Sequence, residues 1–166
     1  MKKVILLMAA LMAVTFNAQA QKKSKAEKAA EKAKQEMMTA ALIDRVMPAK
    51  NFQFVPYEYI QPTTGTTTIN RYEYTKVRPN SLEVYMVNCP TVNTNRYEWV
   101  SCEKKKDTWI VKMKAVADNG NDLSFDFAVN SKSGVATLKV RSNKALDQNN
   151  PGSANSITYR GNIREY

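Results

Sequence analysis

The chain has 166 residues, a formal net charge of +10 and no histidine. Its length suffices for one domain with a hydrophobic core, and its basic balance favours anionic partners such as lipid head groups or polysaccharide. The missing histidine excludes the usual general base at neutral pH, the imidazole ligands of most catalytic zinc and iron sites, and every serine–histidine or cysteine–histidine nucleophile pair.

Residues 1–20 have the pattern of a cleavable secretory signal peptide. Two lysines begin it, residues 4–16 are almost wholly apolar, and small residues precede a cut between Ala20 and Gln21. The apolar stretch is shorter than the roughly 20 residues that a membrane span needs. No cysteine follows the cut, so we do not expect a lipoprotein. The sequence predicts a soluble exported protein, periplasmic or extracellular, for which nucleic acid is a poor partner.

Residues 21–48 are predicted to form an N-terminal helical region, with the helix itself over 22–46. Ser24 and Glu27 have capping-box spacing, the interior consists of good helix formers, and Pro48 ends the helix. An apolar stripe comprises Met37, Met38, Ala41, Leu42 and Val46. We expect this stripe to cover the domain's own sheet, and a partner groove or a helix–helix dimer seam is the alternative.

Residues 49–166 are predicted to form an antiparallel β domain, because the pattern changes to period two. Strands are expected near 51–60, 67–77, 81–88, 96–103, 108–117, 122–130, 135–141 and 156–163. The fold class is therefore α+β, mainly β. It consists of an N-terminal helix and a curved sheet of about eight strands, either open or partly closed into a barrel.

The hairpin around Gly120 allows the register to be predicted. A three-residue loop, 118–120, places Phe125 opposite Met113 and Phe127 opposite Val111, so that every facing pair is apolar. A one-residue slip would move a whole set of side chains to the other face, so the pattern selects this register. Gly120 then takes the left-handed position. The next hairpin places Phe127 opposite Leu138.

Two cysteines, Cys89 and Cys102, could form a disulfide in an exported protein. The bond would close a loop of about 14 residues and contribute roughly 3 kcal/mol. If strands 81–89 and 96–103 pair as a hairpin, however, the two residues lie far apart along the ladder, and bridged cysteines need Cα atoms within about 7 Å. The sequence leaves a disulfide and two buried thiols as alternatives.

Aromatic residues are frequent on four neighbouring predicted strands. The candidate binding surface comprises Tyr57, Tyr59, Tyr72, Tyr74, Tyr97 and Trp99. Aromatic side chains on an exposed sheet face can stack on sugars or contact a protein partner, and cross-strand packing is the alternative. We identify no catalytic residue, cofactor site or metal site.

Several segments resemble the small exported Bacteroidetes proteins of domain-of-unknown-function family 4251 (DUF4251). The similar segments include Lys105-Lys-Asp-Thr-Trp109, Gly134-Val-Ala-Thr-Leu-Lys-Val140 and the closing Ile157-Thr-Tyr159-Arg-Gly161-Asn-Ile163. The resemblance covers about residues 25–163 and implies export and a compact β-rich domain. It carries over no catalytic residue.

These observations favour a non-enzymatic exported domain that binds a ligand or a protein at the cell envelope. One alternative is a carboxylate-dependent enzyme that acts on glycans, which needs two acids about 5 to 10 Å apart. The acids available for it are Glu58, Glu73, Glu83 and Glu98. Another alternative is a structural or oligomerising envelope component that assembles through the helix.

Overall fold

The computed structural model describes residues 25–61, 65–146 and 154–166. The predicted signal peptide and its cleavage site lie outside these residues. One helix, α1 (Lys25–Val46), precedes the strands and ends just before Pro48, as predicted. The chain divides into two compact units, with the boundary between Gln35 and Glu36 inside this helix. In the first unit, the described residues 25–35 are helical and exposed throughout.

The second unit contains one antiparallel sheet that curls into a half-barrel. Its strands are β1 (Phe52–Gln61), β2 (Gly65–Thr68), β3 (Tyr74–Arg78), β4 (Ser81–Tyr85), β5 (Val92–Thr94), β6 (Glu98–Lys105), β7 (Thr108–Val116), β8 (Asp122–Asn130), β9 (Val135–Ser142) and β10 (Ser156–Glu165). The order is β5-β4-β3-β1-β10-β9-β8-β7-β6, and β2 pairs with β1 alone. The predicted fold class is confirmed, with helix and curved antiparallel sheet as expected.

Hydrogen bonds connect parts of the sheet that are far apart in the strand order. The backbone N–H of Asp118, at the β7–β8 turn, donates to the carbonyl of Thr91 at 3.0 Å, just before β5. The Asp118 carboxylate accepts from the backbone N–H of Asn93 at 3.1 Å. The Tyr97 hydroxyl, just before β6, donates to the carbonyl of Arg78 at 2.7 Å. These bonds hold the sheet in its curled form.

The predicted register of the three central strands is confirmed. Phe125 lies opposite both Met113 and Val140, and Phe127 lies opposite both Val111 and Leu138. Gly120 has a positive φ of 82°, as the three-residue loop requires. The inner face of the half-barrel is therefore apolar across β7, β8 and β9.

Two strand predictions are wrong in detail. The predicted strand 67–77 is two strands, β2 and β3, because the chain bends between Thr68 and Tyr74. The predicted pairing of 81–89 with 96–103 does not occur. Instead, β4 pairs with the unpredicted short strand β5, and β6 pairs with β7. A three-residue strand such as β5 is too short to show a period-two pattern, so its polar sequence was interpreted as a turn.

The second half of α1 packs on the sheet with a face different from the predicted one. Ile43, Val46 and Met47 are buried, whereas Met37 is 74% and Met38 is 66% exposed. Of the predicted stripe, only Val46 is fully buried. The helix approaches Gly134 closely, since a Cβ at Gly134 would lie 3.4 Å from the Cγ2 of Thr39. The stripe prediction was wrong by about one position around the helix, which moves the methionines to the outside.

Aromatic side chains fill the interior of the half-barrel. Phe52 and Phe54 each meet the edge of the Phe127 ring, with centroid distances of 5.7 and 5.8 Å. Tyr159 is also fully buried. Such edge-to-face contacts add to the free energy gained by burying the rings.

The described part of the chain contains no helix with the length and the hydrophobicity that a membrane span needs.

Candidate functional site

Four tyrosines and two basic side chains come together on the outer face of β3 and β4. We call this set the tyrosine surface: Tyr72, Tyr74, Tyr85, Tyr166, Lys76 and Arg78. Side chains alternate between the two faces of a strand, so Thr75 and Val77 point into the core while Tyr74, Lys76 and Arg78 point outward. Tyr85 lies directly opposite Tyr74 in the ladder. The surface therefore follows from strand alternation and from pairing between β3 and β4.

The rings of the tyrosine surface lie side by side. The Tyr72 and Tyr74 centroids are 5.5 Å apart, and the Tyr74 and Tyr85 centroids are 6.1 Å apart. Tyr72 is 62% and Tyr85 is 55% exposed. The Tyr72 hydroxyl accepts a hydrogen bond from Nε2 of the buried Gln53 at 2.5 Å, which fixes this ring at its polar end. Large aromatic groups are thus held at the surface instead of in the core.

Cations lie over two of these rings. The Lys76 Nζ is 4.5 Å from the Tyr74 centroid and 4.8 Å from that of Tyr166. The Arg78 Cζ is 4.4 Å from the Tyr166 centroid. Arg78 also forms an ion pair of 2.6 Å with Glu83. Hydrogen bonds with Glu83 and with Tyr166 raise the pKa of Arg78 above its ordinary value. The surface therefore combines ring faces with fixed positive charge.

The structure separates the six aromatic residues of the predicted binding surface. Tyr72 and Tyr74 belong to the tyrosine surface, and Tyr57 is exposed at a bulge in β1. The other three, Tyr59, Tyr97 and Trp99, are half-buried and pack against the core. Trp99 also has the Lys50 ammonium 5.2 Å from its ring centroid. The cross-strand packing alternative therefore describes these three residues.

A pocket of about 310 Å³ lies beside the C-terminal half of β1. It is lined by Tyr59, Thr67, Thr68, Ile69, Asn70, Arg71, Glu73 and Val87. Glu73 is only 1% exposed, and its carboxylate accepts from the Nε of Arg71 at 2.7 Å and from the backbone N–H of Val87 at 2.8 Å. We call this the Glu73 pocket. The two donors hold the Glu73 carboxylate in one position, because breaking either hydrogen bond would leave a buried negative charge without a partner.

The four acids considered for catalysis each contact a basic side chain. Nitrogen–oxygen distances are 2.9 Å for Arg160–Glu58, 2.7 Å for Arg71–Glu73, 2.6 Å for Arg78–Glu83 and 3.7 Å for Lys114–Glu98. Glu58 precedes Tyr59 on one strand, so it points away from the Glu73 pocket that Tyr59 lines. Within the described ranges, no cluster of three cysteine, aspartate or glutamate residues could hold a metal ion. Each acid thus has a basic partner, across neighbouring strands for Glu58, Glu83 and Glu98 and within the bend before β3 for Glu73.

A pocket of about 1020 Å³ lies where β7 and β9 end and β8 begins. Its lining includes the basic Arg96, Lys114 and Arg141 together with the acidic Glu98 and Asp122. Charges of both signs are present, and ion pairs this exposed contribute little. This pocket shows no preference for a ligand of either charge.

The two cysteines are free thiols in the structure. Cys89 follows β4, and Cys102 lies on β6 opposite Val111. The hairpin from which we judged their distance does not exist, so that argument fails. Burial raises the pKa of the Cys89 thiol to about 12, which a hydrogen bond with Tyr159 partly opposes. The disulfide and the two buried thiols stay the two alternatives for the exported protein.

Sequence reasoning overlooked four residues that contribute to these sites. Lys76 and Arg78 alternate with Tyr74 on one strand, so their shared face was available from the period-two pattern. Arg71 follows from no pattern, because it lies in the bend that divides the predicted strand. Tyr166 is far from β3 in the sequence, and only the fold brings its ring next to Lys76.

Among solved structures, the chain is similar to a DUF4251 family protein from Bacteroides eggerthii DSM 20697. The two share 12% sequence identity and a TM-score of 0.59, and the match covers 77% of this chain and 88% of that chain. No family model matches the chain, and no curated protein matches it. At this identity the similarity shows a shared fold, and it supports the resemblance predicted from the sequence.

Proposed function

We propose that this chain is an exported, non-enzymatic member of the DUF4251 proteins that binds a polysaccharide at the cell envelope through its tyrosine surface. The observation that carries the proposal is the exposure of Tyr72 and Tyr85 next to the half-buried Tyr74, with the three rings side by side along the outer face of β3 and β4. A folded protein gains little by holding such rings in water, so exposed aromatic groups of this size point to a partner.

The chemistry of the tyrosine surface favours a sugar chain over other ligands. Flat ring faces can stack on the apolar faces of sugar rings, and tyrosine adds a hydroxyl that can form a hydrogen bond with a ligand. The net charge of +10, which becomes +8 when Lys2 and Lys3 are removed with residues 1–20, and the cations Lys76 and Arg78 favour a polysaccharide that carries negative charge. A protein partner is the other occupant that such a surface could take.

The test of binding is affinity electrophoresis of residues 21–166 in native gels that contain acidic or neutral polysaccharides. We expect at least one acidic polysaccharide to retard the protein. A double variant, Tyr72→Ala with Tyr85→Ala, should lose about tenfold in affinity, because two stacking contacts disappear. Tyr57→Ala is the matched control, since it removes an exposed tyrosine outside the tyrosine surface. Equal losses in the control and the double variant, or no retardation by any polysaccharide, would contradict the proposal.

Export is part of the proposal, supported by the charge, apolar stretch and small-residue exit of residues 1–20. The full chain, produced in a bacterium with a general secretory pathway, should appear outside the cytoplasm. Its intact mass should correspond to a protein that begins at Gln21. A cytoplasmic product with the mass of the complete chain would contradict export and leave the binding proposal standing.

A second candidate function is favoured by one observation, the exposure of Met37 and Met38 on α1. Apolar side chains on an otherwise polar helix are suited to a helix–helix seam between two copies of this chain. Analytical ultracentrifugation should then show a dimer that Met37→Gln with Met38→Gln converts to a monomer. A monomer in the unmodified protein at all concentrations would eliminate this candidate.

A further inference from the structure

The Glu73 pocket contains a charged pair in which one partner is buried and the other is not. Glu73 is 1% exposed, whereas the Arg71 side chain is 64% exposed. Removing a carboxylate from water costs several kcal/mol unless it keeps its donors, so the pair holds Arg71 in one orientation. The buried partner therefore fixes the position of a cation at the pocket mouth.

The base of the pocket is held from two directions. The backbone N–H of Val87 donates to the Glu73 carboxylate at 2.8 Å. The backbone carbonyl of Val87 accepts from the hydroxyl of the buried Tyr159 at 2.6 Å. Because Tyr159 belongs to β10 in the middle of the sheet, this chain of hydrogen bonds connects Glu73 to the core. The carboxylate that orients Arg71 is accordingly rigid.

The bond with Glu73 leaves most of the Arg71 guanidinium available. It uses Nε, which is one of five N–H donors. The two terminal nitrogens can therefore donate in parallel to the two oxygens of a ligand carboxylate, which is the geometry that arginine recognises best. The hydrogen bond to Glu73 also raises the pKa of Arg71, so the group stays charged.

The remaining walls suit a sugar ring. Tyr59 is half-buried against the core and offers an aromatic wall, while Thr67, Thr68 and Asn70 offer hydroxyl and amide groups. A volume of about 310 Å³ lies at the small end of ligand pockets, which run from about 300 to 1,000 Å³, so it accommodates a group of monosaccharide size.

We propose that the Glu73 pocket binds the carboxylate of an acidic sugar, with Arg71 as the ligand-binding residue and Glu73 as its positioning residue. The proposal goes beyond the tyrosine surface and depends on separate contacts. Its failure would leave the proposed function untouched, because neither Tyr72 nor Tyr85 lines this pocket.

The experiment is a titration of ¹⁵N-labelled residues 21–166 with sodium D-glucuronate, followed through the amide signals of Thr67, Thr68 and Asn70. Neutral D-glucose and inorganic phosphate are the comparison probes. Glucuronate should shift these signals in a saturable manner, glucose should not, and phosphate should bind at least tenfold more weakly. Equal shifts with glucose would show that the carboxylate plays no part. Phosphate binding as tight as glucuronate binding would show a general anion site. Either result would overturn the proposal.

Variants separate the two roles. Arg71→Lys keeps the charge and loses the parallel donors, so glucuronate affinity should fall about tenfold. Arg160→Lys is the matched control, because Arg160 also pairs with a glutamate, Glu58, but does not line the pocket, so glucuronate affinity should not change in this variant. Glu73→Gln should weaken binding, and adding Arg71→Lys to it should cause little further loss. Full glucuronate affinity in Arg71→Lys would refute the assignment.

Discussion

Gly161 lies directly opposite Pro56 in the ladder between β1 and β10. The register shifts just beyond this pair, between Pro56 and Glu58, where β1 contains its bulge. A Cβ at Gly161 would lie 2.7 Å from the Cα of Pro56 and 2.7 Å from Cε2 of Phe54. Real Cβ atoms do not come that close, so the two strands can approach here because residue 161 has no side chain.

Replacing Gly161 by alanine should therefore destabilise the domain strongly. The new methyl group meets backbone, which cannot move aside as a side-chain tip can, so we expect a loss of about 3 kcal/mol or more in the free energy of unfolding. Gly120→Ala is the comparison: its φ is 82° with nothing within 4 Å, and the loss should be about 1 kcal/mol. Urea unfolding measures both. Equal midpoints would show that β1 and β10 separate easily.

The parts of the fold that were predictable are those with a strong alternating pattern. Phe125 and Phe127 select one register with β7 and β9, because a slip of one residue would place Lys112 or Lys114 of β7, and Lys139 or Arg141 of β9, opposite Phe125. Pairing between distant segments is different in kind. Nothing in the sequence of β1 indicates that it lies between β3 and β10. The apolar pattern of a strand shows which of its side chains face the core, but it does not show which strands pair with it. For the same reason, the partner of β4 was wrongly taken to be β6.

The candidate sites were predictable only to the extent that they follow one strand. Tyr72 and Tyr74 were identified because they are two residues apart in an aromatic stretch. Tyr97 and Trp99 show the same spacing, yet they pack against the core. Period two alone cannot tell an inner face from an outer one when both alternate residues are large. The Glu73 pocket depends on a bend and on contacts with Val87, which no local pattern encodes.

Asp44 joins α1 to the hairpin between β6 and β7. Its carboxylate accepts from the Nε1 of Trp109 at 2.8 Å and from the Nζ of Lys104 at 2.6 Å. The hydrogen bonds with Lys104 and Trp109 lower the pKa of Asp44 below its ordinary 3.8. Because the folded state binds the proton less readily than the unfolded state, this group stabilises the fold above pH 3.8 and loses its effect as the pH falls through the folded pKa.

Asp44→Asn should therefore be destabilising at neutral pH and nearly neutral in strong acid. The pair is partly exposed, so we expect a difference of about 1 kcal/mol at pH 7. Urea midpoints of the variant and the unmodified protein should converge as the pH is lowered below about 4. Arg45→Gln serves as the control. Arg45 lies next to Asp44 on α1 and pairs with Glu165 of β10 at the exposed surface, so its replacement should change the urea midpoint less. A pH-independent difference would mean that the charge of Asp44 does not matter.

Methionines on opposite sides of α1 should behave differently. Met47, the residue just after the end of α1, is fully buried in the core, so Met47→Ala should cost about 2–5 kcal/mol in the free energy of unfolding. Met37→Ala and Met38→Ala should change it by less than about 0.5 kcal/mol in the monomer, because both side chains are mostly exposed. Thermal melting at low protein concentration checks this. A large effect of Met38→Ala would mean that the originally predicted face packs on the sheet.

The two thiols should react at different rates in the folded protein. Only the thiolate attacks a disulfide reagent, and a pKa of about 12 leaves about one Cys89 in 10⁴ ionised at pH 8. The pKa of Cys102 is also raised by burial, but the Lys50 charge opposes this shift. In Cys89→Ser and Cys102→Ser variants, which retain one thiol each, Cys102 should therefore react much faster with an aromatic disulfide reagent at pH 8. In concentrated urea the two rates should become similar, because unfolding removes both environments.

The same reagent tests for the disulfide in the exported protein. Unmodified protein recovered from outside the cytoplasm should show two reactive thiols in concentrated urea. A mass lower by two hydrogens and no free thiol in urea would instead establish the disulfide and require Cys89 and Cys102 to lie together in the exported protein.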